Sequence, residues 1–320
     1  MVAKTRQGSE MTGPGSRAVR FDHYGARDVL YVAEVPVPTA QAGEVLVEVR
    51  AAGINPGEAS IRSGALEERF PATFPSGQGS DLAGVVVGLG EGVVEFALGE
   101  EVLGFSWRRS SHATHVSIPR SQLIHKPPEL SWEVAGALPV VGCTAYAAVR
   151  AVGVKDGETV AVSAAAGGVG SVVVQLLGVR GAKVLGIASR ANEDWLSAHG
   201  AVPVVYGDGL AERLQAAAPN GINAFIDLFG PEYVQLAADL GIPRGRIETI
   251  IAFEKAAQLG TKADGSVTAS TTEVLSEMAQ LVASGKIEIP IAATYPLEQV
   301  AAAYEQLEQR HTRGKIVLIP

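Results

Sequence analysis

The chain has 320 residues, of which 47% are apolar and 19% charged. That is enough to bury a large core, and the length favours two domains over one. With 26 basic against 34 acidic residues the net charge is −8, so the surface lacks the cationic stripe that nucleic acid or an anionic membrane rewards, and neither partner is expected. The longest apolar runs, such as 134–141, contain Gly or Pro and fall short of the roughly 20 residues a membrane span needs. The first sixteen residues, "MVAKTRQGSEMTGPGS", are polar and Gly-rich and read as a loose tail without a signal core; a cytoplasmic location is the default expectation. A single cysteine, Cys143, excludes an intrachain disulfide and a Cys-rich structural zinc site. It reads as a small buried apolar residue near a helix start.

In chain order, segments 17–21, 30–35 and 44–51 carry alternating or β-branched apolar residues between turn-rich breaks such as "PVPTAQAGE". Strand-like runs follow at 83–89, 101–105 and 112–118, and together these describe an antiparallel, barrel-like β domain. From Ser131, a potential cap, "SWEVAGALPVVGCTAYAAVRAVGV" reads as a helix reaching Gly153. A strand and helix alternation comes next. Strands are expected at 159–163, 183–188, 202–206, 224–228 and 246–252, with helices at 168–180, 192–199, 210–218 and through 234–240. Five strands separated by helices argue a doubly wound parallel sheet. The end of the chain breaks that rhythm with helices at 272–284 and 297–310 and a last strand at 315–319, a return to the first domain.

The stretch "SAAAGGVGS" at 163–171 sits directly after a strand and opens a long helix. In such a unit the helix N-terminus supplies amide donors and a partial positive charge to a pyrophosphate, and glycines let the main chain approach it. Gly167, Gly168 and Gly170 occupy those places with Ala166 and Val169 between and beside them. Ala164 stands where the usual first glycine would be, which is tolerable provided its φ stays negative. About 20 residues past the glycines, where NAD sites commonly carry an acid, the chain has Ser189 and Arg190. A hydroxyl and a guanidinium suit a 2′-phosphate, so NADPH is the expected cofactor. The alternative is a solvated Arg190, with Glu193 or Asp194 reaching the ribose.

As a whole the chain resembles the medium-chain dehydrogenase/reductase superfamily and, within it, the zinc-free NADPH:quinone oxidoreductase family. The resemblance spans about 17–320 and rests on "AAGINPGEASIRSG", "GSDLAGVV", "GCTAYAAV", "AAAGGVG", "IDLFG" and "RGKIVL", in that order. It implies an α/β fold made of a GroES-like β-barrel domain plus a Rossmann doubly wound parallel-sheet domain. The implied boundaries are a tail at 1–16, the GroES-like domain at 17–135, the NADPH-binding domain at 136–270 and a return to the first domain at 271–320. It also implies that Asn55 and Thr144 line the nicotinamide end of the cleft, and that the loop with Phe229 and Gly230 crosses the cofactor. Ile251, Ala252 and Phe253 are implied to lie along it, with Arg313 and Lys315 close by on the closing strand. Each has a plainer reading: Asn55 as a turn residue before Pro56, Thr144 as a cap, Arg313 and Lys315 as solvated cations.

Zinc-dependent relatives carry Cys where this chain has Asn55, a His-Glu pair where it has Ser80-Asp81, and Cys or Asp near Val140. Their four-cysteine lobe is absent too, so no metal is expected. Without a Lewis acid, alcohol oxidation is disfavoured. Hydride transfer from NADPH to a quinone or an α,β-unsaturated carbonyl, which disperses charge onto oxygen, fits better. The other readings are an NADPH-binding sensor or structural protein without turnover, and an alcohol dehydrogenase. The chain departs from the family pattern in three places: Gly57-Glu58 replaces Val-Asp, Ser60 replaces Tyr, and "FSWRRSSHATHV" is expected to put Trp107 and His112 at an unusual pocket mouth. His112 and His115 read as exposed strand residues. A homodimer is expected, with "GSVTAST" at 265–271 as the sheet edge it would cover.

Overall fold

The computed structural model describes residues 15–265 and 268–320, so all but the last two residues of the expected tail lie outside it. Ser16, counted with that tail, instead opens the first strand, its Oγ paired with Thr114 Oγ1 at 3.0 Å. The first part of the chain runs β1 (Ser16–Phe21), β2 (Tyr31–Val35), β3 (Glu44–Gly53), α1 (Pro56–Arg62), β4 (Ser76–Gly77), β5 (Asp81–Leu89), β6 (Glu101–Phe105), β7 (His115–Pro119) and β8 (Leu123–His125). A long helix, α2 (Trp132–Val152), leads out of it. The middle part runs β9 (Thr159–Val162), α3 (Gly168–Val179), β10 (Lys183–Ala188), α4 (Glu193–Ala198), β11 (Ala201–Val205), α5 (Leu210–Ala217), β12 (Ala224–Asp227), α6 (Pro231–Asp239), β13 (Ile247–Thr249) and α7 (Phe253–Leu259). The chain ends with α8 (Thr272–Ala283), β14 (Ile291–Pro296), α9 (Val300–Glu308) and β15 (Lys315–Ile319).

The middle strands form a parallel sheet in the order β11-β10-β9-β12-β13. Its apolar runs do not alternate with polar residues because both faces are covered. Val160, Val162, Val184 and Ile226 enter one core cluster, while their neighbours Ala161, Leu185 and Phe225 enter another on the opposite face. The order reverses between β9 and β12, which opens a crevice at the C-terminal ends of those strands. The other large sheet has the order β14-β15-β3-β5-β6-β8, with β7 also on β3, and β1, β2 and β4 make a separate small sheet. Two strands from the end of the chain thus complete the GroES-like sheet begun at its start. The fold is α/β, a GroES-like β domain plus a Rossmann-type parallel sheet.

Helix α2 joins the two. Ser131 Oγ accepts the Val134 N–H at 3.3 Å, and Gly153 closes the helix in the left-handed region at φ 58°. By length and composition this helix is apolar enough to cross a membrane, contrary to the reading from apolar runs, because Pro139 and its glycines do not interrupt it. Here it is mostly buried core. It crosses β3 at backbone contact distance: a Cβ on Gly136 would lie 2.5 Å from the Ala51 carbonyl oxygen.

Several expectations need correction. His112 is buried and precedes β7 rather than lying exposed in it, since its backbone N–H is taken by Gln78 O at 3.0 Å. Of His112 and Trp107, only Trp107 is exposed, stacked on Phe105 at 5.2 Å. Cys143 is buried but mid-helix in α2. The strand expected over 246–252 stops at Thr249, and Phe253 opens α7, which periodicity alone left unread. The stretch 265–271 makes no edge strand among the described residues; residues 266 and 267 lie outside them. Thr268 bonds Arg150, Ala269 is buried, and Thr271 Oγ1 caps α8 by accepting Val274 N–H at 3.3 Å. The outer edge of β13 is paired instead by Lys262, through Thr249 N–H to Lys262 O at 3.1 Å and Lys262 N–H to Ile247 O at 2.9 Å.

Candidate active site

Two structures meet at the crevice, one made of backbone and one of side chains. The first is the loop from Ser163 to Gly170. Gly167 N–H bonds Ala164 O at 2.9 Å, and the first helical bond, Ser171 N–H to Gly167 O, is also 2.9 Å. The amides of Gly168, Val169 and Gly170 therefore open α3 without intrahelical partners and face the half-open cradle. Glycine is needed most at 170, where a Cβ would stand 2.1 Å from Ala164 O. The condition set for Ala164 fails: its φ is +46°. The loop keeps the left-handed turn of a glycine-led fingerprint and the alanine carries the strain, about 1 kcal/mol.

A buried carboxylate ties three strand ends together beside this loop. Asp227 Oδ1 accepts Ser163 Oγ–H at 2.7 Å and the amides of Phe229 and Gly230 at 3.0 and 3.1 Å. Its Oδ2 accepts Thr249 Oγ1–H at 2.7 Å. Ser163 Oγ in turn takes Leu228 N–H at 2.8 Å, and Thr249 Oγ1 takes Ala252 N–H at 3.0 Å. Burial pushes the Asp227 carboxyl up, and these donors oppose the shift. The knot sets the course of 227–230 and 249–252, so Gly230 and Ala252 are buried while Phe229 and Ile251 project. Two arginines that motif reading missed bridge to these loops: Arg310 lies over the Phe229 ring at 5.5 Å and Arg69 over Phe253 at 5.1 Å.

At the end of β10, Ser189 Oγ is 3.0 Å from Asn192 Nδ2, and Arg190 is exposed. Arg190 borders a shallow pocket of about 490 Å³ that also includes Tyr206 and Glu193. Arg213 orders the far wall, donating to the carbonyls of Val205, Gly207 and Asp208 at 3.0, 3.1 and 2.7 Å.

The second structure is a buried cluster around Asn55. Strand β15 runs antiparallel to β3 with Val317 opposite Gly53, so Lys315, two residues earlier, comes level with the chain just past Gly53. Its Nζ donates to Ile54 O at 2.9 Å, Asn55 Oδ1 at 2.6 Å and Asp81 Oδ2 at 3.3 Å. Asn55 Nδ2 donates to Asp81 Oδ2 at 2.9 Å and to Glu58 Oε1 at 3.3 Å. Asp81 Oδ1 accepts Val140 N–H at 2.7 Å from α2. Glu58 Oε2 accepts Tyr304 O–H at 2.6 Å and Asn55 N–H at 2.9 Å, and Oε1 accepts Ser80 N–H at 2.8 Å. His112 Nε2 lies 3.3 Å from Gly53 O and 3.9 Å from Glu58, and burial holds its pKa down. Burial pushes Asp81 up to about 6 against the pull of Lys315.

Asn55 thus stands before Pro56 at the start of α1, but its amide turns inward. Thr144 is no cap: it is mid-helix, with Oγ1–H donated to Val140 O at 2.6 Å. The paired cations separate. Lys315 is buried with its stem against the phosphate loop, where a Cβ on Gly168 would lie 3.2 Å from Lys315 Cδ, and Gly314 N–H reaches Ala166 O at 3.1 Å. Arg313 is exposed and borders a different pocket, with Pro290, Gln306 and His311. Asp81, Glu58 and Tyr304 are the members that sequence reasoning did not assign to the site.

A zinc ion does not fit here. Asn55, Asp81 and Val140 offer no thiolate or imidazole, and both oxygens of Asp81 are already taken. Among the described residues no group of three or more His, Cys, Asp or Glu is placed to hold a metal. The dinucleotide cradle does fit, since the open amides at 168–170 and the glycines that let a phosphate approach are both present.

Comparison with known proteins agrees with this architecture. A family model described as an alcohol dehydrogenase GroES-like domain matches residues 41–190, and one described as a zinc-binding dehydrogenase matches 198–318. Quinone oxidoreductase of Rattus norvegicus is 30% identical, over 94% of this chain and 95% of that protein. The chain belongs to the quinone oxidoreductase family of medium-chain dehydrogenases/reductases. Among solved structures of this family, the quinone oxidoreductase from Coxiella burnetii is similar with a TM-score of 0.85 and 30% identity, covering 96% of this chain and 100% of that one. That of Escherichia coli, complexed with NADPH, has a TM-score of 0.83 and 26% identity, covering 95% and 100%. Both similarities extend across the two sheets and the crevice between them.

Proposed function

We propose that this chain is a zinc-independent oxidoreductase that transfers hydride from NADPH to a quinone or α,β-unsaturated carbonyl. The observation that carries the reading is the pairing of a free amide cradle at 168–170 with a closed, metal-incompetent polar cluster at Asn55. NADPH supplies the hydride when bound. The amides of Gly168, Val169 and Gly170 hold its pyrophosphate, and Ser189 and Arg190 its 2′-phosphate, a charge that a carboxylate at that place would repel. Ala166, Gly167, Phe229, Gly230, Ile251, Ala252 and Phe253 line its path. Asn55 and Thr144 form the wall at the nicotinamide end, and Lys315 buttresses both wall and phosphate loop, whereas Arg313 meets solvent. The acceptor's developing oxyanion takes its proton from water, because an Asn55 amide does not ionise, the Thr144 hydroxyl is given to Val140 O, and burial pushes the Cys143 thiol up to about 12.

The domain division expected from the sequence belongs to the same reading, supported by the strands of 291–319 joining the sheet of 44–125. So do the cytoplasmic location expected by default from the sequence and a homodimer, which rests on the family resemblance; sedimentation showing only monomer refutes the homodimer. The test of function is NADPH oxidation with 9,10-phenanthrenequinone and small enals, alongside metal analysis of the purified protein. Turnover without stoichiometric zinc is expected; cofactor binding with no turnover across the panel would overturn the reading.

A further inference from the structure

Every donor hydrogen of Asn55 and Lys315 at the heart of the cluster is occupied. The two amide hydrogens of Asn55 go to two carboxylates, and its oxygen takes the lysine ammonium at 2.6 Å. The three ammonium hydrogens of Lys315 have three acceptors, Ile54 O, Asn55 Oδ1 and Asp81 Oδ2. Neither residue donates to a bound acceptor without breaking a buried bond, which costs about 1–3 kcal/mol or more where a charge is left unpaired. They are ill suited to be acids and well suited to hold a shape. What they hold is the orientation of Asn55, since an amide with both ends pinned by charged partners has one rotamer and one flip state.

We propose that Asp81 and Lys315 are positioning residues for hydride transfer: their buried ion pair fixes the Asn55 side chain at the nicotinamide end of the crevice, and protonation of Asp81 releases it. The proposal rests on the functional reading above for what Asn55 faces. The pair joins distant parts of the molecule. Lys315 reaches from β15 and touches the phosphate loop with its stem; Asp81 reaches from β5 and also anchors α2 through Val140 N–H. One proton on Asp81 cancels the negative charge to which both Lys315 and the Asn55 amide are hydrogen-bonded, and so weakens both bonds together. The groups facing Asp81 are Lys315 from β15, Asn55 and Glu58 at the start of α1, and Val140 and Cys143 from α2. Beyond Glu58 stand Tyr304 from α9, His112 from the segment before β7, and Arg62 over the Tyr304 ring at 4.6 Å. Burial raises Asp81 most, Lys315 and Asn55 lower it, and the Glu58 charge raises it, giving a value of about 6.

This gives a test with opposite signs. At saturating NADPH, kcat/KM for the acceptor should fall on the acid side with a midpoint near 6. Lys315→Met removes the cation that favours the charged form and should move that limb alkaline by about one pH unit. Glu58→Gln removes a repelling charge and should move it the other way by roughly half a unit. Asp81→Asn should abolish the limb and leave a flat profile, on the order of ten-fold lower. A merely structural role would lower activity in all three without ordering the limbs in this way. A wild-type profile with no acid limb, or limbs that do not move in these directions, overturns the proposal. Should no acceptor turn over at all, the functional reading has failed, and the Asn55 side-chain amide signals of ¹⁵N-labelled, NADPH-loaded protein decide this point by themselves. They should shift with the same midpoint in the wild type and not in Asp81→Asn; a pH-independent signal in both refutes it.

Discussion

The phosphate loop and the Asn55 cluster sit a side chain apart and are built by opposite means. The loop lies within eight residues and is all backbone: its geometry follows from where a Cβ is forbidden and from the free amides of a helix start. The cluster draws its charges from residues 58, 81 and 315, brought together by the β3–β15 and β3–β5 pairings. A local device fails when one glycine gains a methyl, and it ignores pH. A device made of buried charges tolerates changes of shape better than changes of protonation, because moving a charge out of balance in a low-dielectric site is the costly event.

The comparison can be broken at the loop first. Gly170→Ala places a Cβ 2.1 Å from the Ala164 carbonyl oxygen, a backbone atom with no way to yield, so a loss of about 3 kcal/mol in stability is expected, with NADPH binding abolished. Fluorescence titration and thermal unfolding read both, and near-wild-type binding would refute the account of the loop. Asp227→Ala comes next. It strips two hydroxyls and two amides of their shared acceptor and should cost about 2–3 kcal/mol. Cofactor affinity should also drop on the order of ten-fold as the loops carrying Phe229 and Ile251 loosen; unchanged affinity would show that the knot does not set those loops.

Charge can be tested away from the site at Glu248, which is fully buried on β13 with no side-chain donor to its carboxylate among the described residues. Burial and the nearby Asp264 push it from 4.5 up to about 8. Because the folded form binds the extra proton between those values, stability should fall as pH rises through that window. Glu248→Gln should flatten the curve and gain at least about 1 kcal/mol on the alkaline side. Denaturant melts across the pH range give the slope, and identical slopes in both proteins would contradict this. The smallest effect is expected at Ala164→Gly. Relief of the positive φ outweighs the added freedom of the unfolded chain by about 0.5 kcal/mol, so the melting temperature should rise slightly with NADPH affinity unchanged.

What was legible in the sequence follows the same division. The glycines at 167, 168 and 170, the strand before them and the helix after them are contiguous, so their geometry could be read off the chain. Ala164 was misjudged because the identity of one residue does not give the sign of its φ. The five parallel strands were readable from apolar runs, while α7 was not, since "FEKAAQL" is short and follows a strand without a capping residue. Around Asn55, the residue itself stood out, but Glu58, Asp81 and Tyr304 look like ordinary surface or strand residues until β15 is laid against β3. His112 looked exposed for the same reason: its burial comes from Gln78, Gly53 and Glu58, none of them its neighbours in sequence.

The central claim is that the loop holds the pyrophosphate and the cluster backs the nicotinamide end of one cofactor. A crystal structure of the NADPH complex tests it most directly. The account predicts the pyrophosphate on the amides of Gly168, Val169 and Gly170, and the nicotinamide against Asn55 and Thr144 with the Lys315–Asp81 pair intact beneath. A nicotinamide ring lying away from Asn55, or a phosphate bound by Lys315 at the expense of Asp81, would contradict it.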